Sequence, residues 1–449
     1  MPVVGEGTYG CVHKPSIKCE DRSDIDYKDK LSKVMKNIDA NTELGEYEKI
    51  DAADKANEFH MPRPVKCAPK LTPAAIKEIN KCQNISTKTA NDLKLLIMED
   101  GGQNLEAYVQ TKLTKESVEL LLIEFHRVIS GLRVLQANGL IHHDIKPQNI
   151  VYNQTKNRVN FIDFGYMTTY QQLIQSSFMS QNVRTIQHWS FPPEVSLLNR
   201  KFYMDVMKAK TQNSSDILRA LWEHRVKKHF DIFIAYVTQH KTDDAKNYMY
   251  TVFKRQFENM IIKDCTPAQY ESFAKHSIDT IDSYGLGMSL LHSIGGLKRL
   301  IDEPVFNSMS NICIDAISPN VFLRCNIADF QKNYEIILED GGLLTKHGFV
   351  LENHEIKRLE PLALATEPLA TEPLPCVEPD TERNPKTKRC TKKCKTGYTR
   401  DADFACKPVC AENMERNPIT NRCVKICKPD YVRDSKFRCT RRRSNGVEN

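Results

Sequence analysis

Two polar clusters set between short apolar runs constrain this chain more than any other feature in it. The first is Leu140-Ile141-His142-His143-Asp144-Ile145-Lys146-Pro147-Gln148-Asn149-Ile150, and the second is Phe161-Ile162-Asp163-Phe164-Gly165. The flanking apolar residues read as strands, so the polar side chains between them must emerge together on one loop. The residue types suit phosphoryl transfer. Asp144 can accept the proton of an attacking hydroxyl, Lys146 can neutralise the moving phosphoryl group, and Asn149 and Asp163 can hold a divalent metal. An isolated Asp-Phe-Gly is an ordinary loop, but two such patterns with only 19 residues from Asp144 to Asp163 are not an accident of composition.

The start of the chain supplies a phosphate-binding element. Val4-Gly5-Glu6-Gly7-Thr8-Tyr9-Gly10-Cys11-Val12 contains Gly-x-Gly-x-x-Gly-x-Val, in which small residues let a hairpin backbone lie close over nucleotide phosphates, so all nine are candidate nucleotide contacts. The dinucleotide-binding variant needs a helix directly after the last glycine. Here Cys11-Val12-His13-Lys14-Pro15 reads as a strand ended by proline. In Lys30-Leu31-Ser32-Lys33-Val34-Met35 the alternation predicts a strand, with Lys33 placed to reach phosphate. Asn41 to Ile50 predicts a capped helix bearing Glu43, Glu46 and Glu48. One of these should pair with Lys33; Tyr47 and Ile50 give Glu46 apolar neighbours at helical spacing and make it the choice, with Glu43 and Glu48 as alternatives.

Leu93 to Gly102 reads as a buried strand running into a Gly-Gly hinge, where backbone groups would meet the adenine edge. Glu116 to Asn138 places Val118, Leu121, Leu122, Phe125, Val128, Ile129, Leu132 and Leu135 on one helical face and stops at Gly139. Further on come Phe191-Pro192-Pro193-Glu194, Asp282-Ser283-Tyr284-Gly285-Leu286-Gly287, and Arg324 in position to pair with Glu194. The 87 residues between Glu194 and Asp282 read as inserted helices, one capped at Asn213–Asp216 and another beginning at Asp243-Asp244. Their bases (Arg225, Lys227, Lys228, Lys254, Arg255) suit a solvated face better than a docking surface.

Charge and cysteine separate the C-terminal part from the rest. From Cys376 onward there are 19 Lys and Arg against 10 Asp and Glu, and eight of the 15 cysteines. Before it, Ala-Thr-Glu-Pro-Leu units at residues 358–375 read as an extended linker, because frequent proline blocks helix and ladder alike. Arg383-Asn384-Pro385 to Cys390 recurs at Arg416-Asn417-Pro418 to Cys423, a shift of 33 residues. Such short units bury little apolar surface, so disulfides or zinc should hold them, with free thiols as the remaining alternative. No run of ~18 uncharged apolar residues predicts a membrane span, and no leader is evident, so an unsecreted protein without membrane association is expected.

Taken in order, these motifs make residues 3 to about 357 resemble a eukaryotic-type protein kinase. Gly10 to Cys19 and His188 to Glu194 are similar to the divergent kinases of large DNA viruses, iridescent viruses among them. The resemblance implies an α+β, bilobal fold: a kinase domain over 1–357 with an N-lobe to about 98, a C-lobe from about 103 and a helical insertion over about 195–281. The cysteine repeats over 376–440, followed by a basic tail at 441–449, resemble a two-cysteine adaptor module. The resemblance further implies ATP with Mg²⁺, Mn²⁺ being the alternative metal, protein substrates, and serine/threonine specificity from Lys146. A viral or host protein is the expected partner of the cysteine-rich tail, in host cytoplasm or virion; the few tail aromatics argue against nucleic acid. His143 stands where the family usually has arginine, which puts control by activation-loop phosphorylation in doubt. The competing reading is a catalytically silent scaffold, against which Lys33, Asp144, Asn149 and Asp163 all stand intact.

Overall fold

The computed structural model describes residues 2–7, 10–85, 92–179, 188–212, 215–359, 380–384, 387, 389–401, 404–420 and 422–441. Two compact units emerge, Met1–Leu359 and Glu360–Asn449. Of the linker expected over 358–375, Arg358 ends a strand, Glu355–Arg358, and everything after Leu359 lies outside the described residues, as do the caps at Asn213 and Ser214.

The larger unit begins with an antiparallel five-stranded sheet in the order β1-β2-β3-β5-β4, formed by β1 (Val3–Gly7), β2 (Gly10–His13), β3 (Lys30–Lys36), β4 (Val65–Cys67) and β5 (Leu93–Glu99). Period-two alternation turns Val34, Leu95 and Ile97 into a small core with Ile17 and Ile79, while Lys33 faces the other way. A β-carbon on Gly10 would lie 2.5 Å from the Val34 carbonyl oxygen, so only glycine lets β2 approach β3 there. Two disulfides cross this core, Cys11–Cys82 and Cys19–Cys67, joining residues 71 and 48 positions apart. Helix α1 (Asn37–Ala53) follows β3 without a connecting loop. It starts before the expected cap, so Asn41 lies inside it and accepts a 2.5 Å hydrogen bond from Lys66 Nζ instead.

The rest of this unit is mainly helical. Lys115–Ala137 starts at a capping box, Thr114 with Ser117, and buries its whole predicted apolar stripe; the chain leaves it through Gly139 at φ 65°. The central helix runs from Tyr270 to Leu297, so it takes in the last residues of the expected insertion. A β-carbon on its Gly285 would lie 2.5 Å from the Ile145 carbonyl oxygen, which is how closely this helix supports the Asp144 loop. Before it, helices Arg200–Thr211, Ser215–Leu221, Lys227–Val237 and Asp243–Asn259 form the insertion, packed around buried Trp222, Phe230, Phe253 and Phe257. Among the described residues no helix is long and apolar enough to cross a membrane.

In the smaller unit, four two-stranded hairpins follow one another: Thr381–Arg383 with Cys390–Lys392, Tyr398–Arg400 with Cys406–Pro408, Met414–Arg416 with Cys423–Lys425, and Tyr431–Arg433 with Cys439–Arg441. Disulfides Cys394–Cys406, Cys410–Cys423 and Cys427–Cys439 staple them. These six cysteines therefore have no thiolate to offer zinc, which removes the zinc alternative for them. The 33-residue duplication is also structural. Arg400 donates to Glu382 at 2.7 Å and lies 4.6 Å over the Phe404 ring, and Arg433 repeats this with Glu415 at 2.8 Å and Phe437 at 4.7 Å.

Candidate active site

The two polar clusters sit on loops whose ends are tied by short strands: Leu140–Ile141 pairs with Thr168–Thr169, and Ile150–Asn153 with Arg158–Phe161. Ile162 N donates to the Asn149 carbonyl at 3.0 Å and binds one loop to the other. From the central helix, Asp282 accepts the backbone N–H of His142 and of His143, both at 2.8 Å, and its burial raises its pKa. That anchor holds His143 at φ 67°, a left-handed conformation costly for a side chain other than glycine, and so aims the next residue, Asp144. One carboxylate oxygen of Asp144, Oδ2, accepts from Lys146 Nζ at 2.6 Å and from Asn149 Nδ2 at 2.9 Å. Asp163 is also left-handed, at φ 66°.

His143 is stacked on Phe191, ring centres 4.9 Å apart and 14° from parallel. Its burial lowers the imidazole pKa, so it offers Phe191 a neutral ring where arginine would present a charge.

Lys33 Nζ is 2.5 Å from Glu43 Oε2. Glu43, not Glu46, is therefore the partner. The reason is helix phase: α1 begins at Asn37, and with Tyr47 and Ile50 turned into the core, Glu43 is the carboxylate that reaches β3. Glu46, one turn further, faces Gly165 and Asp163, and burial together with the charges of Glu43 and Asp163 raises its pKa to about 7. Tyr47 meets Phe164 edge-on at 5.2 Å, and Phe164 meets His142 at 5.5 Å, an aromatic column that links α1 to both polar loops.

Between the sheet and the helical part lies a cleft of about 670 Å³. Val4, Gly5, Glu6, Gly7, Gly10 and Val12 line one side, Met98 to Gly102 the back, and Asn149 and Asp163 the floor. Cys11 does not line it: strand alternation turns this side chain into the core, where Cys82 takes it. Thr8 and Tyr9 lie outside the described residues. Apolar walls that the sequence reading missed come from Leu31, Met61, Val151 and Ile162. Leu31 was open to detection, being two residues before Lys33 on the same strand face; Met61, in an irregular segment, carried no signal.

This cleft fits a nucleotide: an apolar slot for a base beside the Met98–Gly102 segment, and Lys33 with a glycine hairpin for phosphates. Asn149 spends its amide nitrogen on Asp144, so its Oδ1 and the Asp163 carboxylate form a hard-oxygen donor set of the kind Mg²⁺ takes.

Comparison with known proteins agrees with this geometry. Residues 2–206 match the protein kinase domain family. The inhibitor of nuclear factor kappa-B kinase subunit beta of Bos taurus is 34% identical over 113 residues, 24% of this chain and 14% of that protein. Cyclin-dependent kinase 4 of Mus musculus is 29% identical over 130 residues, covering 28% of this chain and 39% of that one. The chain thus spans a minor part of these relatives' length. A solved structure, the kinase PK-1 of Cydia pomonella Granulovirus, aligns over 38% of this chain and 54% of that one at 16% identity and a TM-score of 0.23. The stretch that matches the protein kinase domain family thus holds the glycine hairpin, Lys33, Asp144, Asn149 and Asp163 around one nucleotide-sized cleft.

Proposed function

We propose that the larger unit transfers the γ-phosphate of ATP to serine or threonine hydroxyls of protein substrates. The observation that carries this reading is the convergence on Asp144 of Lys146 and Asn149, at 2.6 and 2.9 Å, at the edge of a cleft that also holds Lys33 and Asp163. Asp144, its carboxylate oriented by those two donors, receives the substrate hydroxyl and takes its proton as the oxygen attacks. Lys146, on the same carboxylate oxygen, is positioned to offset charge on the transferred group. Lys33, steered by Glu43, and the glycine hairpin hold the phosphates. Mg²⁺ would be held by Asn149 and Asp163, and when bound it neutralises phosphate charge.

Lys146 two residues after Asp144 supports serine/threonine acceptors, and the likeness of Gly10–Cys19 and His188–Glu194 to kinases of large DNA viruses supports a viral setting. The disulfide-stapled tail of four hairpins fits a module that binds a viral or host protein. The test is transfer of labelled γ-phosphate from Mg-ATP to a generic protein substrate by the wild type and by Asp144→Asn. Label from the wild type that vanishes in the variant is expected; equal labelling by both would overturn the assignment.

A further inference from the structure

Two of the insertion's bases are already engaged. Lys227 Nζ is 2.6 Å from Asp231, and Lys254 lies 5.1 Å over the Trp222 ring with Glu258 at 3.9 Å. Arg225 and His229 are placed differently. With His188, Trp189, Phe191, Pro192 and Pro193 they line one small crevice of about 20 Å³. Arg225 is steadied there by packing 5.4 Å over the Phe202 ring, and His229, whose pKa is lowered by burial and then by the charge of Lys228, follows that exposed lysine on the helix.

This pocket adjoins the reacting groups. His188 feels the charges of Lys146, Asp144 and His229, and Phe191 stacks on His143. The same insertion helix, Lys227–Val237, is pinned to the Asp144 loop at its other end: Tyr236 Oη is 3.4 Å from Gln148 Nε2, and its ring is 4.6 Å from that of Trp189. A peptide presenting its hydroxyl to Asp144 and running along residues 188–193 therefore passes Lys146, Arg225 and the neutral ring of His229, with the exposed Lys228 one position before His229 on the same helix. Of the nearby acids Asp231 is paired with Lys227, while Glu106 accepts from Gln148 and Tyr236 and Glu223 adds to the field at Lys227.

We infer that the helical insertion forms a basic wall of the acceptor site and selects protein substrates whose phosphorylated hydroxyl is flanked by aspartate or glutamate. This deepens the proposed kinase activity and rests on it. Opposite charge on the peptide gains from Arg225 and Lys228, while a basic peptide meets like charge, so discrimination comes from attraction and repulsion together.

The experiment compares kcat/KM for serine peptides flanked by Asp/Glu, by Ala or by Lys/Arg, using the full chain, the Arg225→Gln/Lys228→Gln double variant, and Lys228→Glu. The wild type should prefer the acidic over the alanine peptide by about tenfold or more, chiefly through KM. That ratio should fall toward one in the double variant and drop further in Lys228→Glu, whose substitution at an exposed position leaves the fold undisturbed. A wild type that treats the three peptides alike, or a ratio unmoved by both variants, would overturn the acidic preference and leave the kinase reading standing. No transfer to any peptide or generic protein by the wild type would overturn both.

Discussion

Arg324 forks onto Glu194 in the interior of the larger unit, Nη1 2.7 Å from Oε1 and Nη2 2.8 Å from Oε2, with neither side chain exposed to solvent. Ser277 donates to the same Glu194 at 2.9 Å, and Arg324 Nε reaches the Ser318 carbonyl at 3.0 Å, so both charges are satisfied. The bond joins the segment after residue 188, which borders the acceptor site, to the chain beyond the central helix.

Removing one partner should therefore leave a buried, uncompensated charge. Arg324→Leu or Glu194→Ala is expected to cost about 3 to 5 kcal/mol in urea unfolding, and the double variant less than the sum of the two. Additive losses would mean that the two residues act independently.

The pairing of Lys33 with Glu43 predicts unequal effects from two neighbouring glutamates. A hydrogen bond between charged groups contributes about 1.5 to 3 kcal/mol, so Glu43→Gln should lower kcat/KM for ATP by about tenfold or more, while Glu46→Gln should change it by less than about threefold. Steady-state kinetics at saturating protein substrate would decide, and the reverse ranking would return the role to Glu46.

Glu46 also predicts a pH dependence of stability. Its folded pKa of about 7 is raised above the ordinary carboxylate value, so between pH 4.5 and 7 the folded state holds a proton that the unfolded state has released. Stability from this group is full below that window and declines as pH rises through it. In metal-free buffer Glu46→Gln should match the wild type at pH 4 and exceed it at pH 8, by about 1 to 2 kcal/mol after discounting for solvent on this half-buried group. Parallel stability curves for the two proteins would refute the shifted titration.

The two disulfides described in the larger unit close long loops, of 71 and 48 residues. Cys19→Ser/Cys67→Ser should destabilise the domain by about 2 to 4 kcal/mol in guanidinium unfolding under oxidising conditions, and reductant should bring the wild type down toward the variant. Wild-type stability that does not respond to reductant would mean that the bonds are not formed in solution.

What the sequence determined by itself is whatever depends on neighbours along the chain. Asp144, Lys146 and Asn149 lie within one turn of backbone, so their residue types and spacing already imply a shared loop. The amphipathic stripe ending at Gly139 and the 33-residue repeat were legible for the same reason: each is a local pattern of polarity or turn chemistry. Tertiary structure decided what depends on how separate elements dock. The phase of α1 against the core chose Glu43 over Glu46, a difference of less than one helical turn that apolar spacing alone could not resolve. Cys11 met Cys82, and Tyr236 reached Gln148, across 71 and 88 residues of sequence. Such pairings are set by the burial of distant surfaces against each other, and no local preference of the chain encodes them.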